Sequence, residues 1–93
     1  MSIDAIKAAV TELARRYPIS RITLFGSRAG GTNREDSDVD LIIEFTAPVT
    51  LITLAAIKNE LEEALSLDVD VIHGPIRDGD MIEIGKRVVL YAA

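Results

Sequence analysis

The sequence predicts a small domain of α/β (α+β) class, a mixed β-sheet flanked by helices. Three observations lead there. Apolar residues at helical spacing alternate along the chain with short, β-branched apolar runs. Gly and Pro punctuate the ends of those runs. The 93 residues, with 48% hydrophobic and 27% charged content, suit one folded domain spanning 1–93 and leave little room for a second core.

Taken in order, Ser2 is a suitable N-cap, and Ile3, Ile6, Val10, Leu13 and Tyr17 give a first helix one apolar stripe that Pro18 stops. Ile22 to Phe25 reads as a strand ended by Gly26. Residues 28–37 are polar and Gly-rich, a loop with one helical turn at most. Val39 to Phe45 is a second strand, and its unbroken Leu41-Ile42-Ile43 run implies burial on both faces. Ala47-Pro48 breaks it. Thr50 caps a second long helix whose buried stripe is Leu54, Ile57, Leu61 and Leu65, with Lys58, Glu60, Glu62 and Glu63 mostly toward solvent. Leu67 to Ile72 reads as a third strand closed by Gly74-Pro75, Asp78 is a candidate cap for a last helix ended or kinked by Gly85, and Val88 to Tyr91 is a final apolar segment.

Composition narrows the function. The formal charge is −5, whereas a protein that grips nucleic acid by neutralising phosphates is usually basic, so stable nucleic-acid binding is not expected. No apolar run approaches the roughly 18 residues that span a bilayer, and Asp4 and Glu12 interrupt any secretory pattern at the start. The expected location is cytoplasmic, with no membrane partner. There is no cysteine, which excludes disulfides and thiolate metal sites. An acidic protein that handled an anionic nucleotide would need cations to offset its own field.

The chemistry concentrates in residues 26–40. Gly26-Ser27 follows the first strand, and ten residues later Asp38-Val39-Asp40 opens the second. Residues two apart on a strand share a face roughly 6–7 Å apart, so two such carboxylates can share a pair of divalent cations, and oxygen donors suit Mg²⁺. A glycine turn allows close backbone approach to a ligand, and a serine hydroxyl with nearby N–H groups can hold a phosphate oxygen. Either signal alone is common in turns and strand ends that bind nothing. Together, on consecutive strands joined by a Gly-rich connection, they can reach one end of one sheet. Asp70, flanked by Val69 and Val71, is expected to lie deeper in the sheet and to be the third carboxylate, with Asp68 as the alternative. Lys86 and Arg87 suit either a phosphate tail or a solvated helix end, and His73 beside Gly74-Pro75 suits a structural place.

Gly-Ser, ten residues, Asp-x-Asp and a later strand-borne Asp resemble the minimal nucleotidyltransferase (MNT) family of the polymerase-beta superfamily. The resemblance extends through Gly26-Ser27-Arg28-Ala29, Ser37 to Ile42, the acidic helix at Leu61–Leu65, Val69-Asp70-Val71-Ile72 and Val89-Leu90-Tyr91. It implies a polymerase-beta-like core and two-metal nucleotidyl transfer. On that reading Asp38, Asp40 and Asp70 hold two Mg²⁺ ions and carry catalysis, with Asp70 also orienting or deprotonating an acceptor hydroxyl. Gly26 and Ser27 bind the outer phosphates of ATP, and Arg28 either adds charge there or is a surface residue. Family members often carry a basic residue near position 30. This chain has Gly30-Gly31 instead, and Arg34 is a candidate substitute.

The smallest members of the family pair with a HEPN-type protein in toxin–antitoxin systems, so the resemblance implies an antitoxin that transfers AMP from ATP to a tyrosine hydroxyl of a HEPN RNase toxin. A binding subunit that silences its partner by occlusion is the first alternative. Nucleotidyl transfer to a small molecule ranks behind it, since no acceptor-binding domain is visible in the sequence. So small a core leaves apolar area near its surface, so a homo- or hetero-oligomer is plausible.

Overall fold

The computed structural model describes residues 2–31, 37–75 and 86–93. Helix α1 (Ile3–Ala14) starts where Ser2 Oγ accepts the amide N–H of Ala5 at 3.2 Å. It ends before Tyr17, because a proline disfavours helical backbone in the residue preceding it. Strand β1 (Ile19–Phe25) is longer than the apolar run alone suggests. Its first residues find backbone partners on both sides: Thr46 N–H donates to the Pro18 carbonyl at 2.9 Å and Ala93 N–H to the Ser20 carbonyl at 2.9 Å. A single helical turn, α2 (Ser27–Gly30), follows. Strand β2 runs Val39–Phe45, and helix α3 (Leu51–Leu65) begins with Thr50 Oγ1 accepting the Thr53 amide at 3.2 Å.

Strand β3 is Val69–His73, beginning two residues later than its alternation suggests. Ser66, in the left-handed region at φ 55°, ends α3, and the turn it starts consumes Leu67 and Asp68. The closing apolar segment is a true strand, β4 (Arg87–Ala92). The helix expected from Asp78 lies outside the described residues, as do Arg34 and Gly85.

The four strands form one sheet in the order β3-β2-β1-β4. β1 is antiparallel to both β2 and β4, while β2 and β3 are parallel and joined through α3, so the sheet is mixed. Alternation then sorts side chains by face. Ile22, Leu24, Val39, Leu41, Ile43 and Val69 face the helices and meet Ile6, Val10 and Leu13 of α1 and Ile57, Leu61 and Leu65 of α3. Burying each of these large side chains is worth about 1.5–3 kcal/mol before entropy is counted. The opposite face carries Thr23, Phe25, Asp40, Ile42, Asp70, Ile72 and Val89. Ile42 is nonetheless only 5% exposed, as its place in a doubly apolar run anticipated. Gly74 contributes to that cover: a Cβ there would lie 2.9 Å from Ile42 Cγ2 and 2.8 Å from Glu44 Cγ, so only a bare backbone passes.

Candidate active site

The turn after β1 is shaped by a carboxylate. Phe25 pairs with Asp40 across the β1–β2 ladder, so the next residue lies against the Asp40 side chain. Gly26 has φ 78°, a backbone that L side chains rarely adopt, and an added Cβ would stand 2.5 Å from Asp40 Oδ2. Glycine is required here on both counts. Ser27, half-buried, then opens α2, whose turn closes with Gly30 N–H donating to the Gly26 carbonyl at 3.1 Å.

Arg28 is 3% exposed, and its Nε and Nη2 donate to the Ser37 carbonyl at 3.0 and 2.7 Å. It is therefore not a surface residue. The guanidinium ties the Gly26-Ser27 turn to the residue immediately before Asp38.

The acids meet through strand register. In the parallel β2–β3 ladder Val39 pairs with Val69 and Asp40 with Asp70. Asp70 is exposed, which corrects the expectation that it lies deep in the sheet; being opposite Asp40 on the same face is what distinguishes it. Asp68 sits in the turn before β3, where its carbonyl accepts the Val39 amide at 2.9 Å and the residue lines a cleft of about 400 Å³ with Glu62, Ser66 and Leu67. Asp38, also exposed, lies two residues before Asp40. Asp40 itself is partly buried, and its carboxyl is held above the usual carboxylate range. Burial is the largest cause, followed by the negative charge of Asp70, a hydrogen bond shared with Asp70, and the charge of Asp38.

The donor set suits a hard divalent ion, since only carboxylate oxygens are offered and their mutual repulsion is what a cation would relieve. The fit is to the Asp40–Asp70 pair with Asp38 flanking. Among the described residues, no three acidic or histidine side chains close on a single cation position.

Two acids expected mostly toward solvent also make tertiary hydrogen bonds. Glu62 Oε2 accepts the Val69 amide at 3.0 Å, which pins the start of β3 and with it Asp70. Glu60 receives Arg16 Nη1 at 2.5 Å and the Tyr17 hydroxyl at 2.8 Å, which ties α3 to the end of α1. Both acids stand beside the buried stripe of α3, and that flanking position was the signal available. His73 is at the far end of β3, exposed, with its ring 5.1 Å from that of Phe45.

Comparison with known proteins settles the family. Residues 6–88 match the family of the nucleotidyltransferase domain. The chain is a minimal nucleotidyltransferase. The protein adenylyltransferase MntA of Thermococcus cleftensis is 32% identical over 98% of this chain and 96% of its own. A Methanocaldococcus jannaschii relative is 36% identical over 77% of each chain. Among solved structures, a minimal nucleotidyltransferase with 38% identity superimposes over 78% of each chain at a TM-score of 0.66. A toxin–antitoxin complex with AMP-PNP shares the fold at a TM-score of 0.76 and 22% identity, over 94% of this chain and 73% of that one. In this nucleotidyltransferase, the Gly26-Ser27 turn, Asp38, Asp40 and Asp70 share one end of one sheet face.

Proposed function

We propose that this nucleotidyltransferase is an Mg²⁺-dependent protein adenylyltransferase, an antitoxin that moves AMP from ATP to a tyrosine hydroxyl of a HEPN RNase toxin in the cytoplasm. The observation that carries the proposal is the register that sets Asp40 beside Asp70 with Gly26 packed on the Asp40 carboxylate. It is supported by the likeness to MntA along nearly the whole chain, and by shared fold with a complex of a tri-AMPylated Shewanella oneidensis HEPN toxin and its MNT antitoxin.

The roles follow from position. Asp38, Asp40 and Asp70 would hold two Mg²⁺ ions, which when bound supply charge neutralisation along the triphosphate and a lowered barrier to forming the nucleophile. Gly26 and Ser27 present backbone N–H groups and a hydroxyl to the outer phosphates. Asp70, exposed at the sheet face, meets the incoming hydroxyl and takes or orients its proton. The hydroxyl oxygen bonds to the α-phosphorus while the bond to the β-phosphate oxygen breaks, and pyrophosphate leaves with that electron pair. Glu62 holds the Asp70 strand, and Arg28 holds the start of β2.

Intact-mass spectrometry of the HEPN partner, incubated with this protein, ATP and Mg²⁺, tests the proposal. A gain of one or more AMP units that disappears with Asp38→Asn/Asp40→Asn is the expected result. An unchanged mass overturns it. The alternative is occlusion without transfer. A partner silenced equally by the double Asn variant would establish it.

A further inference from the structure

The register places four residues in a single row across the sheet. Asp70 is opposite Asp40, Asp40 opposite Phe25, and Phe25 opposite Arg87. Directly opposed residues share a face, so Arg87 belongs to the carboxylate face. Its neighbour Val88 confirms the parity, because it pairs with the fully buried Leu24 on the helix side. Strands are about 4.8 Å apart, which puts the Arg87 backbone about 10 Å from that of Asp40, within range of a long side chain working at the same ligand.

The row has a functional order. The carboxylates of β2 and β3 form one flank, the Gly26-Ser27 turn at the end of β1 lies in the middle, and Arg87 on the edge strand β4 forms the other flank. A triphosphate whose α-phosphate meets the carboxylates and whose outer phosphates meet the turn therefore runs toward Arg87. Among the described residues, the other arginines near that path are already engaged. The Arg28 guanidinium is turned onto the Ser37 carbonyl, and Gly30-Gly31 carries no charge. Arg21 faces Glu44 at 3.7 Å, toward the other end of β1. Arg87 is exposed and makes no salt bridge among the described residues.

We infer that Arg87 is a nucleotide-specificity residue that binds the terminal phosphates of the triphosphate and, after transfer, the pyrophosphate product. The inference rests on the nucleotidyl-transfer reading and assigns to β4 a positive charge that Gly30-Gly31 does not supply.

The test is titration of the full chain, with Mg²⁺ present, by a non-hydrolysable ATP analogue and separately by AMP, for wild type, Arg87→Gln and Arg87→Lys. Loss of a charge-assisted hydrogen bond should weaken analogue binding by Arg87→Gln about 10- to 100-fold while AMP changes by less than about twofold. Arg87→Lys should recover part of the loss. Because Arg87 is exposed, thermal unfolding of both variants should match wild type. Unchanged analogue binding, or equal weakening of analogue and AMP, overturns the assignment. So does a defect confined to capture of the protein partner. Wild type that binds the analogue and transfers AMP while Arg87→Gln does both equally well removes only Arg87, whereas wild type that binds no triphosphate removes the nucleotidyl-transfer reading with it.

Discussion

Asp40 is constrained from three sides: by the Gly26 backbone, by Asp70 across the ladder, and by Asp38 along the chain. Its raised pKa makes a signed prediction. In the metal-free fold the ionised form is disfavoured, so between the unfolded carboxylate value and the higher folded value the native state binds more protons than the unfolded chain. Stability should therefore fall as pH rises through that window and stay lowered at neutral pH. Asp40→Asn, which removes the charge, should raise the melting temperature at pH 7 without Mg²⁺, and the advantage should shrink as pH falls toward the unfolded value. The same variant should abolish AMP transfer, a pairing of gain and loss that calorimetry and mass spectrometry can check on one sample. Gly26→Ala is expected to behave differently. At φ 78° and ψ −156°, backbone that is essentially reserved for glycine, a Cβ costs about 1–3 kcal/mol, and the added methyl must push Asp40 aside. A displacement on that scale can slow transfer about 100-fold, measurable by single-turnover kinetics with denaturant unfolding to quantify the strain.

At the scale of elements, the polar contacts hold the two long helices together and hold β3 in register. The α1–α3 tie is the Tyr17 hydroxyl and Arg16 on one carboxylate, Glu60. Tyr17→Phe removes a partly buried hydrogen bond and should cost about 1 kcal/mol, or a melting temperature lower by about 4–8 °C in a domain this size. Glu60 has its pKa lowered, by the hydrogen bonds from Arg16 first and Tyr17 second. Its contribution is thus present above the unfolded value and lost as pH falls through the folded one. The pair is well exposed, so salt and solvent screen much of it. Glu60→Gln should be less stable than wild type at pH 7 and indistinguishable from it once pH drops below the folded pKa of Glu60, as a pH series of urea midpoints would reveal.

For the molecule as a whole, one core joins every long element: α1, α3 and all four strands contribute buried side chains to it. Truncation at its centre should therefore be felt everywhere. Leu41→Ala, at a fully buried site between the helices and β1, is expected to cost about 2–5 kcal/mol. Helix content by circular dichroism and tyrosine fluorescence should move to the same lower midpoint. Separate midpoints would mean that the sheet and helices do not unfold as one unit.

How far the sequence could be read depended on whether the deciding interaction was local. Strand β2 was legible to both ends, because Asp-x-Asp precedes its apolar run and Ala47-Pro48 follows it. The N-caps Ser2 and Thr50 were legible because a cap is a contact within three residues. The start of β3 was not, since Leu67-Asp68 alternates like a strand and only the turn at Ser66 removes it. The sequence alone determined the fold class, the family and the residue types at the candidate site, because periodicity and motif spacing are properties of the chain. Tertiary structure alone decided that Asp70 stands beside Asp40, that Arg28 turns inward to Ser37, and that Arg87 shares the carboxylate row. Each of those is a matter of strand register or burial, set by how distant segments pair to cover one core, and no spacing along the chain encodes it.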